Sequence, residues 1–213
     1  MGIFNPENGF FRVTGKLVDL VILSAFWLFC SLPVVTVGPA TAALYHTVVR
    51  CIRGNERDSW MLFFRTFKSN LKVCVLTSLV VIPLALLLVI PHELLYQMAG
   101  VDKTGCVLYY AYRVFLLLPA GALCYVFPVL SRFTFGVGGL LSTCGKLAIA
   151  HLPHTIWMAL LFFALLVVCS GIPPLAVLLP AVLAWAHSFS LERIFKPYID
   201  AQKPALEDEE KQA

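Results

Sequence analysis

Histidines have the clearest potential for chemistry in this sequence. His151 and His154 lie three positions apart, and His187 follows later in the chain. Paired imidazoles are common ligands of Zn²⁺. Pro153 disrupts the helical geometry that would aim both rings at one ion, and no Cys, Asp or Glu lies nearby in sequence. We interpret the three histidines as packed or interfacial residues and predict no metal site.

Catalytic motifs would be a second source of chemistry. The sequence contains no HExxH, GxSxG or P-loop pattern. The segment Gly136–Gly139 is rich in glycine but lacks the full dinucleotide spacing, so we interpret it as a loop and helix start. The seven cysteines are scattered singly, which favours packing over a disulfide framework or zinc binding. We expect no enzyme activity and no cofactor.

One proline-containing segment combines small, polar and helix-breaking residues. Its candidate residues are Ser31, Pro33, Thr36, Gly38, Pro39 and Thr41. Broken helices in transporters expose carbonyls and hydroxyls that bind ligands. Serine and threonine also satisfy the backbone around a proline kink with no further role. We favour the structural interpretation and retain ligand binding as the alternative.

Two charges fall within apolar runs, where ionisable groups are functional candidates by default. Asp19 is early in the first run and three residues after Lys16, so a local ion pair is expected. Arg113 lies seven residues into a later run, where a long side chain can reach the interface. For both Asp19 and Arg113 we favour local solvation over an ion or substrate pathway.

The composition indicates what must position these residues. Hydrophobic residues make up 60% of the chain and charged residues 13%, and the mean hydropathy is +0.85. Soluble domains have roughly 45–50% apolar and about 25% charged residues. A chain of 213 residues cannot bury that apolar excess in one core, whereas a bilayer can accommodate it. An integral membrane protein is therefore predicted.

Spanning helices need about 20 mostly apolar residues. The long apolar runs cover Leu17–Val37, Val73–Ile90, Cys106–Leu130, Thr155–Gly171 and Ile172–Ser190. A shorter helix, Ala40–Cys51, is predicted to follow the break and to return part or all of the way across. We predict an all-α bundle with six crossings, or five with the N-terminus on the opposite side. Pro91–Gly105 is the expected loop between two of these spans.

One or two amphipathic helices are predicted to lie along the membrane surface. The first has an aromatic stripe with basic flanks, as an interfacial helix requires. Its residues are Trp60, Phe63, Phe64, Phe67, Lys68 and Lys72. The second covers Val137–Leu152 and has leucines on one face.

Basic residues predict the orientation, since cytoplasmic loops carry an excess of Lys and Arg. They concentrate in Arg50–Lys72, which we place in the cytoplasm together with the C-terminus. Pro91–Gly105 then faces outside. Residues 1–196 form one predicted membrane domain. Residues 197–213 are acidic and polar, and are expected to form a disordered tail.

A family resemblance rests on the segment from Cys30 to Tyr45, with the string SLPVVTVGPATAALY. Together with Asp19 and the later string FRTFKSNLK, it resembles the YesL-like family of small bacterial membrane proteins, defined by a domain of unknown function. The resemblance covers most of the chain, more by pattern than by residues in the second half. It implies a multi-pass protein, often encoded beside carbohydrate-uptake and polysaccharide-degrading systems, and no catalytic residues.

The expected function is a non-enzymatic membrane protein in the cell membrane. The resemblance implies an accessory or partner of a carbohydrate uptake system. The alternative is a small transporter or channel that uses the broken first helix. Expected partners are the lipid bilayer and permease subunits or further copies of the chain, with no nucleic acid.

Overall fold

A computed structural model describes the backbone of residues 9–54, 58–133, 136–171 and 177–212. These residues are helical almost throughout and include no β-strand. The α-helices are α1 (Gly9–Cys30), α2 (Val37–Thr47), α3 (Ser59–Ala99), α4 (Lys103–Arg132), α5 (Val137–Ala150), α6 (Leu152–Gly171) and α7 (Leu179–Gln212). The all-α class predicted from the apolar runs is therefore correct.

The first apolar run is interrupted at Pro33. Helix α1 ends at Cys30, a short 3₁₀ turn covers Val34–Thr36, and α2 begins at Val37. Proline has no N–H to donate and its ring clashes with the preceding turn, so the interruption is encoded locally. Helix α2 continues as a π-helical stretch, Val48–Arg53, and runs back antiparallel to α1.

Helices α3 and α4 form a long antiparallel hairpin. With 41 residues, α3 is about 60 Å long at 1.5 Å per residue. The expected loop Pro91–Gly105 is mostly helix, because α3 runs through Pro83 and Pro91 and only residues 100–102 separate it from α4. Prolines inside apolar helices are tolerated where neighbouring helices satisfy the freed backbone groups. The Tyr112 hydroxyl of α4 donates to the Leu88 carbonyl of α3 at 2.8 Å, in the turn that precedes Pro91.

The first predicted amphipathic helix, with Trp60 to Lys72, forms the start of α3. The expected surface helix and the following span are one element, since no helix boundary occurs between Ser59 and Ala99. Helix α5 is a separate element, and it meets α6 at a bend of 102°. Gly136 directly precedes α5, so the glycine-rich segment does start a helix.

The residues expected to form a C-terminal tail belong to helix α7 in the structure. Helix α7 continues to Gln212, past the proposed boundary at residue 196. Alanine, glutamate, lysine and glutamine are strong helix formers, and extending an existing helix avoids the cost of nucleation. The predicted turn at Ile172–Pro174 lies outside the described residues.

The core has two neighbouring parts, both of which include α2. Tyr45 packs with Tyr125 of α4 and Phe195 of α7 in one part, whereas Leu44 packs with Leu23 of α1 and Phe63 of α3 in the other. Small residues allow this close packing, since Ala40, Ala42 and Ala43 are fully buried. Helix α2 is therefore the central element of the bundle.

Within the described part of the chain, two helices, α3 and α4, are long and apolar enough to cross a bilayer. A third candidate arises if α5 and Leu152–Val168 are counted together as one broken span. Thr66, in the first half of α3, contacts His46 of α2, and the adjacent Tyr45 shares Glu192 of α7 with Arg132. The basic residues of this half of α3 therefore lie at the same end of the bundle as Arg132 and as Arg53, which contacts Ser188 of α7. We call this the basic end.

Candidate functional site

The best-defined polar site lies at the basic end and joins three helices. The Tyr45 hydroxyl of α2 donates to Glu192 Oε1 of α7 at 3.2 Å. Arg132, in the last turn of α4, donates to the same oxygen at 2.8 Å. The Arg132 and Glu192 side chains are only 17% and 23% exposed. An ion pair with an added hydroxyl donor at this degree of burial is strongly stabilised by its partners and costly to break.

Arg53 extends this network along α7. Its Nη1 donates to the Ser188 carbonyl at 2.7 Å, and its guanidinium lies 4.7 Å from the centre of the Phe189 ring. Nearby, His46 Nδ1 of α2 lies 3.3 Å from the Thr66 hydroxyl of α3. At the basic end, polar contacts thus join α2, α3, α4 and α7. We call these contacts, made by Tyr45, Arg132, Glu192, Arg53 and His46, the basic-end network.

The threonine hydroxyls of the break serve the local backbone. The Thr36 Oγ1 hydroxyl lies 2.6 Å from the carbonyl oxygens of both Cys30 and Pro33 and donates to this pair. The Pro33 carbonyl also accepts from the Thr36 backbone N–H at 2.9 Å. Thr41 Oγ1 donates to Val37 O at 2.7 Å and accepts from the Trp27 indole at 3.1 Å. Ser31 Oγ differs, because it is buried without a hydrogen-bond partner among the described residues.

Gly38 acts through its size, not through its backbone conformation. Glycine permits positive φ where a chain changes direction, but no described glycine adopts it. It lies in the first turn of α2, where an added Cβ would collide with Ser78 Oγ of α3 and lie 2.6 Å from Phe127 of α4. The adjoining Pro39 is also buried, in the position near a helix start that suits proline. The requirement for glycine is therefore close approach between three helices.

The intramembrane charge candidates have separate local partners. Lys16 Nζ donates to the Ile52 carbonyl at 2.6 Å, and Asp19 Oδ1 accepts from the Ser59 hydroxyl at 3.4 Å, so the expected Lys16–Asp19 ion pair does not form. Arg113 is exposed, and its guanidinium lies 5.5 Å from the Tyr109 ring centre. The structure does not bring Asp19 and Arg113 together.

The aromatic stripe of the proposed surface helix is partly covered by protein. Phe63 is fully buried, its ring centre 6.1 Å from that of the tilted Phe26 ring of α1, and it stacks with Phe67 at 6.4 Å. Trp60 and Phe64 are 54% and 37% exposed, and Lys68 and Lys72 are exposed as well. One edge of the stripe thus packs against the protein, and the other edge is an exposed apolar surface.

The histidines are dispersed. His151 follows the last residue of α5 and His154 is in the first turn of α6, with ring centres 6.2 Å apart. His187 Nε2 lies 3.3 Å from the Met158 carbonyl. Among the described residues no group of three His, Cys, Asp or Glu side chains could hold a metal ion.

A cavity of about 540 Å³ lies in the middle of the bundle, a volume in the usual range of ligand pockets. Six helices line it, mostly with aliphatic and aromatic side chains. The polar groups that reach it include Trp27, Thr41, Tyr45 and His187. Tyr45 separates this apolar cavity from the basic-end network.

Sequence reasoning missed the residues of the basic-end network. Glu192 and Arg132 end otherwise apolar segments and read as ordinary interfacial charges. Tyr45 is embedded in a run of small and apolar residues, which marks it as core. The signal in the sequence was Glu192, a single acidic residue that ends an apolar run and has basic neighbours. This pattern does not show that Arg132 and Tyr45 are its partners.

Comparisons with known proteins agree on one family. Residues 20–91 match the family model described as "Protein of unknown function, DUF624". The chain is 30% identical over 161 residues to "Uncharacterized protein YesL" of Bacillus subtilis (strain 168), covering 74% of this chain and 75% of that protein. No solved structure matches. Because the identity is 30% and covers about three quarters of each chain, the chain belongs to the YesL-like family.

Proposed function

We propose that this protein is a non-enzymatic integral membrane protein that acts as an accessory or partner of a membrane permease. The observation that carries this is the exposed apolar surface of the α3–α4 hairpin. In the half of this hairpin that lies farther from the basic end, Leu87, Val107, Val114 and Phe115 are 61–69% exposed. A large apolar surface of this kind requires either lipid or another protein to cover it.

The permease is proposed to be a carbohydrate uptake system, the expectation from the family resemblance. The structural argument is that the polar groups of the break are engaged locally by Thr36 and Thr41. A protein whose helix-break hydroxyls satisfy its own backbone has few groups left for a polar substrate at that position. Its exposed helix faces are then the surfaces through which it acts.

In the proposed topology α3, α4, α6 and the first part of α7 cross the bilayer, which gives four crossings in place of the six or five expected from the apolar runs. Helices α1 and α2 form a re-entrant hairpin that enters from the basic end and turns back. Residues 20–49 contain no Asp, Glu, Lys or Arg, and the turn lies at their middle. Each arm therefore has about 15 residues, or about 22 Å, which falls short of the about 30 Å hydrocarbon core.

The tip of this hairpin supports the same topology. Phe29, Leu32 and Val34 are 76%, 72% and 64% exposed. Gly38, next to the tip, packs against Cys74 and Ser78, well within α3 and not at its far end. An exposed apolar tip is favoured in lipid and costly in water, so the turn belongs inside the membrane. The basic end faces the cytoplasm by the distribution of Lys and Arg.

Cysteine labelling tests this topology. In a cysteine-free background, Lys103→Cys should react with an impermeant thiol reagent in intact cells, and Lys68→Cys only in inverted vesicles. Val34→Cys should react poorly from both sides. Strong labelling of Val34→Cys from the same side as Lys103→Cys would show that α1 crosses fully.

Crosslinking tests the partner role. A photo-reactive residue at Val107 on the exposed side of the hairpin should capture a permease subunit or a second copy of the chain in the native membrane. A residue of the same kind at buried Val129 is the matched control and should capture neither. Equal capture at both positions, or capture of lipid alone at Val107, would contradict the partner role.

A small transporter or channel is the second candidate, favoured by the central cavity and by the unpartnered Ser31 hydroxyl. It predicts substrate flux in vesicles that contain the purified protein alone. It also predicts that enlarging a side chain on the cavity wall, as in Ala120→Phe, blocks the flux. Absence of flux for sugars and ions, together with capture of a permease subunit, favours the accessory role.

A further inference from the structure

We propose that a second pocket, on the outer side of α7 at the basic end, binds the phosphate group of an anionic phospholipid. This pocket has a volume of about 370 Å³, and its basic residues are Arg53, Arg193 and Lys196. The inference rests on the membrane placement proposed above. It does not depend on the identity of any protein partner.

Three residues of the pocket, Phe189, Arg193 and Lys196, follow one face of α7 together with Trp185. Trp185, Phe189, Arg193 and Lys196 are spaced by four, four and three positions, which places them on the same side of a helix. The face therefore changes from aromatic to basic along its length. Trp185 and Phe189 are 40% and 50% exposed, and their rings are 5.2 Å apart. Exposed aromatic residues next to basic ones are typical of the membrane–water interface.

Arg53 completes the pocket from a second element. The hydrogen bond from its Nη1 to the Ser188 carbonyl and its position over Phe189 fix the guanidinium at the junction between the aromatic and basic parts. A guanidinium held in this way keeps further N–H groups for a ligand, and its fork matches phosphate oxygens. The side chain is thus oriented before any ligand binds, which lowers the entropic cost of binding.

The carboxylates of the pocket do not cancel its positive charge. Glu192 Oε1 already accepts from Arg132 and Tyr45 on its other side, so its charge is compensated within the protein. Asp200 is the second acidic residue lining the pocket, and it has an interaction of its own. Arg53, Arg193 and Lys196 are all exposed. The pocket accordingly presents an excess of positive charge beside an apolar surface.

This combination favours a lipid as the source of the phosphate. Basic pockets between membrane helices bind anionic head groups, and each basic residue near the surface is worth about 1 kcal/mol, or about fivefold in affinity. The acyl chains would extend along Trp185 and Phe189, away from the basic residues. A soluble phosphorylated molecule shares the phosphate chemistry but gains less from the exposed aromatic residues.

Native mass spectrometry of the delipidated full-length protein in a neutral detergent tests the site. The probes are dioleoyl phosphatidylglycerol, dioleoyl phosphatidylcholine and glycerol 3-phosphate. We expect tight binding of phosphatidylglycerol, weakened by salt because the attraction is partly Coulombic. The double variant Arg193→Gln/Lys196→Gln should bind it about 25-fold more weakly, as two contributions of about fivefold multiply. Both residues are exposed, so the change should leave the fold intact.

The matched control is Arg65→Gln/Lys68→Gln, which removes two exposed basic residues from α3. Its phosphatidylglycerol binding should change less than threefold. The conservative variant Arg193→Lys/Lys196→Arg should retain binding. Equal losses in the pocket and control variants, or undiminished binding in the pocket variant, would overturn the proposal.

The remaining probes identify the source of the phosphate. Displacement of phosphatidylglycerol by millimolar glycerol 3-phosphate, lost in the pocket variant, would support the phosphate site and assign it to a soluble ligand. Resistance to displacement would support the lipid. Equal affinity for phosphatidylcholine and phosphatidylglycerol would contradict recognition of negative charge. Cysteine labelling of the α1–α2 tip is a separate measurement, so the membrane topology and the phosphate site can fail independently.

Discussion

The Tyr45 hydroxyl and the Glu192 carboxylate lie 3.2 Å apart although 147 residues separate them in the chain. The contact joins the central helix α2 to α7, and Arg132 of α4 completes it from a third helix. Tyr45 is 1% exposed, so its ring is buried while its hydroxyl reaches the half-buried carboxylate. This pairing connects the centre of the bundle to its basic end.

Replacing Tyr45 by Phe should destabilise the protein without changing the packing of the ring. A hydrogen bond to a charged group is worth about 1.5–3 kcal/mol, and the 3.2 Å length favours the lower value. For a chain of this size, about 1.5 kcal/mol lowers Tm by about 3–6 °C. Thermal unfolding of the purified protein in detergent measures the change. Tyr110→Phe, at a residue 64% exposed, is the control and should leave Tm within about 1 °C.

The Arg132–Glu192 ion pair should show strong energetic coupling. Arg132→Met leaves a half-buried carboxylate with only Tyr45, and Glu192→Gln leaves a half-buried guanidinium, so each single change should be destabilising. The double variant should lose less than the sum of the two, with a coupling of about 1–2 kcal/mol. A double-mutant cycle from thermal unfolding gives this value. Strictly additive effects would show that the pair contributes no net interaction.

Adding a side chain at Gly38 should disrupt the contact between α2, α3 and α4. A Cβ at this position meets Ser78 Oγ and Phe127, and the Cys74 carbonyl is 3.0 Å away, so the helices must separate. Gly38→Ala should cost about 1–3 kcal/mol by overpacking, and Gly38→Leu should lower the amount of folded protein in the membrane.

The matched control for Gly38 is Gly145→Ala in α5, where nothing lies within 4 Å of the new Cβ. Alanine is favoured over glycine inside a helix by about 1 kcal/mol, so this change should be neutral or stabilising. Quantitative detection of membrane-extracted protein and thermal unfolding compare the two. A stabilising Gly38→Ala would show that α2 does not approach α3 as closely as described.

Replacing Thr36 by Val separates the structural and ligand-binding interpretations of the break. The Thr36 hydroxyl donates to the Cys30 and Pro33 carbonyls at the break, so its loss should cost about 1 kcal/mol and change nothing else. Protein yield and thermal unfolding measure the first effect, and crosslinking at Val107 measures whether partner capture persists. Loss of capture or of flux with unchanged stability would instead indicate a binding site at the break.

Several features could be predicted from local sequence because their causes are local. Pro33 has no backbone N–H whatever its surroundings, so its covalent structure alone predicts an interruption of the first helix. By contrast, Pro83 and Pro91 occur within the uninterrupted helix α3, although they are the same residue type. A proline inside an apolar helix is tolerated where neighbouring helices support the backbone, and those helices are not visible in a single segment.

The side-chain sites divide in the same way. The helical spacing of Phe63 and Phe67 could be recognised as an apolar stripe, but not whether lipid or protein would cover it. In the structure α1 covers Phe63 completely, since Phe26 lies against it, while Trp60 stays exposed. Gly38 could be recognised as a position for close approach or a turn, and only the position of Ser78 decides for close approach.

Sequence by itself determined the properties that depend on composition and short spacing: an apolar, all-helical chain, an interrupted first helix and basic residues grouped between apolar runs. Tertiary structure alone decided that Tyr45, Arg132 and Glu192 meet, that Arg53 lies over Phe189, and that α1 and α2 turn back beside the middle of α3. The physical reason is range. Helix propensity and hydropathy act between near neighbours in the chain, whereas these contacts join residues far apart in sequence, and only the packing of whole helices selects them.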